Sequence, residues 1–251
     1  MRRTGIFLVV LLLMLLALPV VAQEEEGNIA KIVFFRAKPG MSQQLEDGLI
    51  KHNAWHKAQG GTWTWYVWTY ETGDFTGGYA SGTFGHSWSD FDNPDIDWET
   101  DIANVRETIL PYVAEGSQWR YFEGLPKVSK PLDKPAMLSE VIRFRLRYGK
   151  DADFMYLIGK FHEAIEKTRW PVNYRWGRLV NGGDSPIYVL IHQHQNYASI
   201  KGPEKNFAQM LTEAVGQQEA QMLLEKWAKV VKSENIHLER NRPDLSYIPG
   251  Q

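Results

Sequence analysis

His52 and His56 are the side chains with the clearest chemical potential, because four residues apart on a helix they share one face. They continue an apolar stripe, Leu45 and Leu49, so the helix carries both imidazoles toward whatever lies beneath it. His86 stands on a later strand with Ala80 and Gly82 at alternate positions, and the sequence reading brings it under the same helix as a third imidazole. Three imidazoles can act as polar anchors or acid/base groups for a small ligand, with Trp55, Ala80, Gly82 and Phe84 shaping an aromatic-lined pocket. They can also share a transition metal such as Zn, Cu, Fe or Ni, although no carboxylate or thiolate in the pattern strengthens that reading. The favoured expectation is a pocket with no cofactor. A metal held by the histidines and a heme stand as alternatives, and no residue is assigned as a metal ligand.

The elements that must position these groups come in two similar sets. Val33, Phe35 and Ala37 match Ile142, Phe144 and Leu146 at one constant offset, and the same offset carries Gly40 to Gly149, Gly73 to Gly182, Tyr79 to Tyr188 and Trp88 to Tyr197. Apolar type and glycine turns hold without a gap, which marks two copies of one supersecondary unit. Each copy reads strand, helix, strand, strand, helix, strand. In the first, a strand over Lys31–Ala37 ends at Pro39-Gly40, Ser42 is placed to cap the helix, and Gly60-Gly61 stops it. Strands follow at Thr62–Tyr70 and Tyr79–Trp88, a helix after Pro94 uses Trp98, Ile102, Val105 and Ile109, and a strand spans Ser117–Phe122. The second has a strand at Glu140–Arg147, a helix over Asp151–Lys167, strands at Val172–Val180 and Ile187–Tyr197, one long helix over Pro203–Lys232 and a strand at Asn235–Glu239.

This order is the ferredoxin-like β-α-β-β-α-β unit, which leaves one sheet face uncovered. The expected fold is α+β: two tandem ferredoxin-like units packed sheet to sheet as a pseudo-dimeric α/β barrel. On strand order and spacing the chain resembles the dimeric α/β-barrel superfamily in its tandem single-chain form. The resemblance implies relatives among antibiotic-biosynthesis-type and heme-degrading monooxygenases and the heme-binding chlorite dismutase and dye-decolourising peroxidase groups. It implies no reaction by itself. In tandem heme-binding relatives the axial histidine is expected in the second copy, whose helix stripe here, Phe154, Ile158, Phe161 and Ile165, has none; His162 lies one position off it.

The copies differ where the histidines stand: Phe161 and Ile165 replace His52 and His56, and Val189 and Ile191 replace Ala80 and Gly82. A small, polar region in a core must be refilled, either by neighbouring rings such as Trp63 and Trp65 or by a ligand. His192 and His194, with Tyr188 and Leu190 on their strand face, are expected to look into the barrel.

Arg2 and Arg3, an apolar run over Ile6–Leu18, and small residues up to Ala22 form a signal peptide, cleaved after Ala22. The segments expected are therefore a signal peptide (1–22), an acidic leader (23–29), a first unit (30–125), a linker (126–135), a second unit (136–240) and a tail (241–251). An exported, periplasmic or secreted protein follows, with no membrane association once the leader is removed. The formal net charge of −2 and the lack of a broad basic patch argue against nucleic acid as a partner. The absence of cysteine excludes disulfides and thiolate chemistry. No dinucleotide, Walker, His-Glu-x-x-His or G-x-S-x-G element is present. The leading expectation is a small-molecule-binding barrel, monomeric or homo-oligomeric, with cofactor-independent monooxygenase-like action on an aromatic ligand. The alternative is a non-catalytic structural or interaction protein of the same fold.

Overall fold

The computed structural model describes residues 27–133 and 135–250, so the signal-peptide reading and residues 23–26 of the leader lie outside the described residues. Eight strands occur in chain order: β1 (Ile29–Phe35), β2 (Tyr66–Tyr70), β3 (Tyr79–His86), β4 (Gln118–Gly124), β5 (Leu138–Leu146), β6 (Tyr174–Asn181), β7 (Ile187–His194) and β8 (Val231–Asn241). Among the described residues five α-helices accompany them: α1 (Ser42–Gln59), α2 (Trp98–Thr108), α3 (Asp151–Thr168), α4 (Phe207–Val215) and α5 (Gln217–Val230). The strands close into one barrel in the order β1-β3-β2-β8-β5-β7-β6-β4. Among the described residues every strand pairing is antiparallel, and β2–β8 and β4–β6 join the strands of one chain half to those of the other.

Side chains alternate between the barrel interior and the helix layer. On β1, Phe35 packs with Leu45 and Leu49 of α1, whereas Ile32 and Phe34 pack with Phe122, Leu179 and Ile187 inside the barrel. The second half holds the larger helix-side core, built on Phe144, Phe154, Phe161, Trp176 and Tyr188. The first half is thinner there, with Leu45, Leu49, Val67, Tyr79 and Ile109.

Several expectations shift. The strand expected from Thr62 begins at Tyr66, because Trp65 instead pairs with Tyr247 and Asp95 accepts from the Thr62 and Trp63 amides. The long helix expected over 203–232 is two helices broken at Gly216, whose φ of 86° and ψ of 160° take the backbone out of helical space. An Asn206–Gln209 capping box starts α4. The strand expected at Asn235–Glu239 extends over the whole of Val231–Asn241.

The tail is also more than an irregular end. Arg242 N–H donates to the Val67 carbonyl, Trp65 and Tyr247 exchange backbone hydrogen bonds, and the Ser246 hydroxyl accepts from Val67 N–H at 2.9 Å. The linker after β4 does the same to β6: Leu125 N–H donates to the Trp176 carbonyl, Lys130 and Tyr174 exchange backbone bonds, and the Ser129 hydroxyl accepts from Trp176 N–H at 2.9 Å. Each half thus sends the segment that follows its last strand across to the second strand of the other half.

Candidate functional site

The α1 stripe behaves as its spacing dictates. Leu45 and Leu49 are buried, and they draw the next inward positions, His52 and His56, beneath the helix; His56 is only 4% exposed. The opposing surface comes from α2. Asp97 caps this helix by accepting from Thr100 N–H at 3.0 Å, and the carboxylate of Asp101 in its first turn suits the positive end of the helix dipole. Gly48 lets the two helices meet: a Cβ there would lie 2.1 Å from the Thr108 carbonyl oxygen.

That close approach brings three ligating atoms together. His52 Nε2 lies 3.0 Å from His56 Nε2, His56 Nε2 lies 3.1 Å from Asp101 Oδ1, and His52 Nε2 lies 3.4 Å from the same oxygen. His52 Nδ1 is 2.8 Å from Asn104 Oδ1, so it donates its proton there and leaves Nε2 with a lone pair facing the cluster. Burial holds the His52 imidazole below its ordinary pKa, with Asn104 and Asp101 opposing and His56 adding to the effect. In this tautomer a single proton, on His56 Nε2, would have to serve both His52 Nε2 and the Asp101 carboxylate. A divalent cation would satisfy all three atoms instead. Tetrahedral ligands at 2.0–2.1 Å from Zn2+ stand about 3.3 Å apart, close to the separations here. The Asn104 bond is of the kind that would orient a metal-bound imidazole. His56 lacks one, since its buried Nδ1 has no partner.

Around this group the side chains are aromatic and basic. Trp55 stacks on His52 with ring centroids 5.6 Å apart and meets His56 edge-on at 5.3 Å. Lys31 of β1 places its ammonium 3.6 Å from the centre of the Trp98 ring. Burial lowers the Lys31 pKa to about 8, against the attraction of Asp101.

His86 is not part of the three-atom group. A register shift in β3, where Gly85 adopts a φ of 80°, turns its ring to the side of Thr83, which it meets by a side-chain hydrogen bond. It packs 4.0 Å from Trp63 and 5.3 Å from Phe91, and burial lowers its pKa against Asp90 and Asp95. Trp63 also contacts Trp98, so rings occupy the space beneath this end of the helix layer. Ala80, Gly82 and Phe84 were expected to share that space, but they face the barrel interior. Ala80 opposes Phe34 and Trp68, Gly82 opposes Ile32 and Tyr66, and Phe84 packs on Tyr66 and Trp68. The period-2 pattern was right and its face was inverted, because Tyr79 and Ser81 take the helix side.

The same inversion applies to His192 and His194. They share a face with Tyr188, which sits in the helix-side core, and so do not look into the barrel. Burial and the neighbouring His194 lower the His192 pKa to about 4. A heme does not fit the second half. Phe154 lies 4.5 Å from Tyr188, 5.1 Å from Trp227 and 5.6 Å from Trp176, which fills the layer a macrocycle would need. His162 is engaged with the Tyr174 hydroxyl at 2.8 Å.

The sequence reading missed Asp101, Asn104 and Lys31. A signal for the first two existed: Trp98, Asp101, Asn104 and Thr108 recur at helical spacing and form the inner stripe of α2. Ile102, assigned to that stripe, is 43% exposed.

No family model matches the sequence, and no curated protein matches it. Solved structures do. An anthrone oxidase-like protein aligns with 91% of this chain and 95% of its own at a TM-score of 0.56 and 8% identity. A candidate monooxygenase from Lactobacillus acidophilus covers 90% and 98% at 0.53 and 13%. The chlorite dismutase of Candidatus Nitrospira defluvii, in complex with imidazole, covers 87% and 93% at 0.53 and 8%. At these identities the likeness is one of fold: the chain has the ferredoxin-like α/β-barrel architecture of these proteins.

Proposed function

We propose that the chain is a metal-dependent, monooxygenase-like enzyme of the α/β-barrel fold, with its centre at His52, His56 and Asp101. One observation carries this reading: three ligating atoms from two helices, with His56 buried and His52 and Asp101 partly buried, lie within 3.4 Å of one another. Two histidines and one carboxylate are a donor set for Fe(II), and equally for Zn or Co, that leaves coordination positions for water or a small ligand. The metal would supply Lewis-acid or redox chemistry. The chain's own residues would orient it through Asn104, place the Lys31 ammonium nearby, and shield it with Trp55 and Trp98. An aromatic ligand is consistent with these rings. The fold neighbours described as a monooxygenase and an oxidase-like protein support the reaction class and do not identify the substrate.

The tandem arrangement belongs to the same proposal. The constant sequence offset and the matched hydrogen bonds of Ser129 and Ser246 support two duplicated units, each strapped by the other's trailing segment. Export with cleavage after Ala22 completes it. The test is metal analysis of protein purified from its native compartment. One equivalent of a transition metal is expected, and Asp101→Asn should remove most of it. Metal-free wild-type protein that also takes up none on addition would overturn the assignment and favour a hydrogen-bonded structural cluster.

A further inference from the structure

The barrel interior carries a second chemistry, independent of the histidine centre. One part is apolar, with Ala30, Ile32, Phe34, Phe122, Leu179, Ile187 and Val189 in contact. Directly opposed residues of an antiparallel pair point to the same face. Arg120 of β4 opposes Ile32, and Arg143 of β5 opposes Val189, so both arginines point inward beside this apolar patch. The Arg120 guanidinium lies 5.0 Å from the centre of the Phe34 ring.

Neither arginine is held by a direct ion pair. Arg120 donates from Nη2 to the neutral amide of Gln118 at 2.6 Å, and its Nε is buried with no acceptor. Among the described residues no carboxylate comes within ion-pair distance of Arg120 or Arg143. The nearby acids have other partners: Asp184 makes its ion pair with Arg145 at 2.6 Å while its charge also attracts both arginines, and Glu239 hydrogen-bonds with His237 at 2.8 Å. Burial lowers the Arg120 pKa and the like charge of Arg143 lowers it further, against the attraction of Tyr70 and Asp184. Two inward guanidinium groups without a direct ion pair are expensive in a half-buried lumen unless an anion joins them.

We propose that Arg120 and Arg143 form a binding site inside the barrel for a small oxyanion, the carboxylate or phosphate group of a small molecule. Guanidinium forks match either group in a bidentate manner, and the apolar patch with Phe34 would receive an adjoining ring or chain. Two probes separate the sources. Inorganic phosphate presents the tetrahedral anion alone, and benzoate presents a carboxylate on a ring.

Both are titrated by calorimetry and thermal melting at constant ionic strength, on wild type, Arg120→Gln and Arg143→Gln. Saturable binding with a raised Tm is expected in the wild type for at least one probe. Tighter benzoate than phosphate would assign an organic carboxylate, and the reverse a phosphate. Each variant should bind about tenfold or more weakly, as loss of a charge-assisted hydrogen bond requires. In anion-free buffer Arg143→Gln should melt at or above the wild-type temperature, because a repulsion is removed. No saturable response in the wild type would overturn the proposal, as would undiminished binding in both variants. A lower Tm for Arg143→Gln without anion would do so too, since it would mean that this arginine is already compensated. His52→Ala should leave the response unchanged, which keeps the outcome separate from the metal assignment.

Discussion

At the scale of single residues, tautomer and burial decide what the imidazoles do. His192 gives the plainest test. Its pKa is lowered to about 4 by burial and by His194, against about 6.5 in an unfolded chain. Above pH 6.5 neither state is protonated and the neutral, packed ring contributes its full stabilisation. As pH falls, the unfolded chain takes up the proton first, so stability declines until the folded imidazole also titrates near pH 4. The total is about 3 kcal/mol. His192→Leu should therefore lose less stability between pH 7 and 4.5 than wild type in urea unfolding; identical slopes would contradict the burial argument. Residue identity made the histidines visible in the sequence. Their partners Asp101 and Asn104 left only a helical spacing with Trp98 and Thr108, which reads as ordinary exposed polarity until α1 lies against it. His86 reaches the helix side because the Gly85 irregularity adds a residue to β3, but its ring turns to Thr83 and Trp63 and away from His52 and His56.

At the scale of elements, the spacing of α1 and α2 controls the centre. Gly48 is the contact point, and a methyl group 2.1 Å from the Thr108 carbonyl must push the helices apart. Gly48→Ala should cost about 1–3 kcal/mol and weaken metal uptake together. Gly159 of α3 has nothing within 4 Å of a built Cβ, so Gly159→Ala should be neutral or gain up to about 1 kcal/mol. Thermal melts of the two variants test the contrast, and equal effects would refute it. The straps offer a second test. Ser246→Ala leaves the Val67 N–H without its acceptor and Ser129→Ala does the same to Trp176, so each should cost about 1–3 kcal/mol. A neutral result for Ser246→Ala would show that the tail is only appended. Element types and order were legible because glycine turns and apolar periodicity are local signals. The straps were not, since extended segments of mixed polarity show a partner only when the other half of the chain supplies it. The break at Gly216 was hidden inside a continuous helical pattern.

At the scale of the whole molecule, closure of eight strands into one barrel separates two environments. The helix layer of the first half holds the histidines and Asp101, while the interior holds arginines beside an apolar patch. The second half keeps the matching helix stripe apolar, a division of labour that follows from Phe161 and Ile165 standing where the first half has His52 and His56. The account rests most heavily on that layer of the first half binding a metal. Titration of chelator-treated protein with Co(II), followed by visible absorption, tests this most directly. The predicted result is one equivalent bound with ligand-field bands, abolished in both His52→Ala and Asp101→Asn and retained in His86→Ala. Binding that ignores His52 and Asp101, or no stoichiometric binding at all, would contradict it.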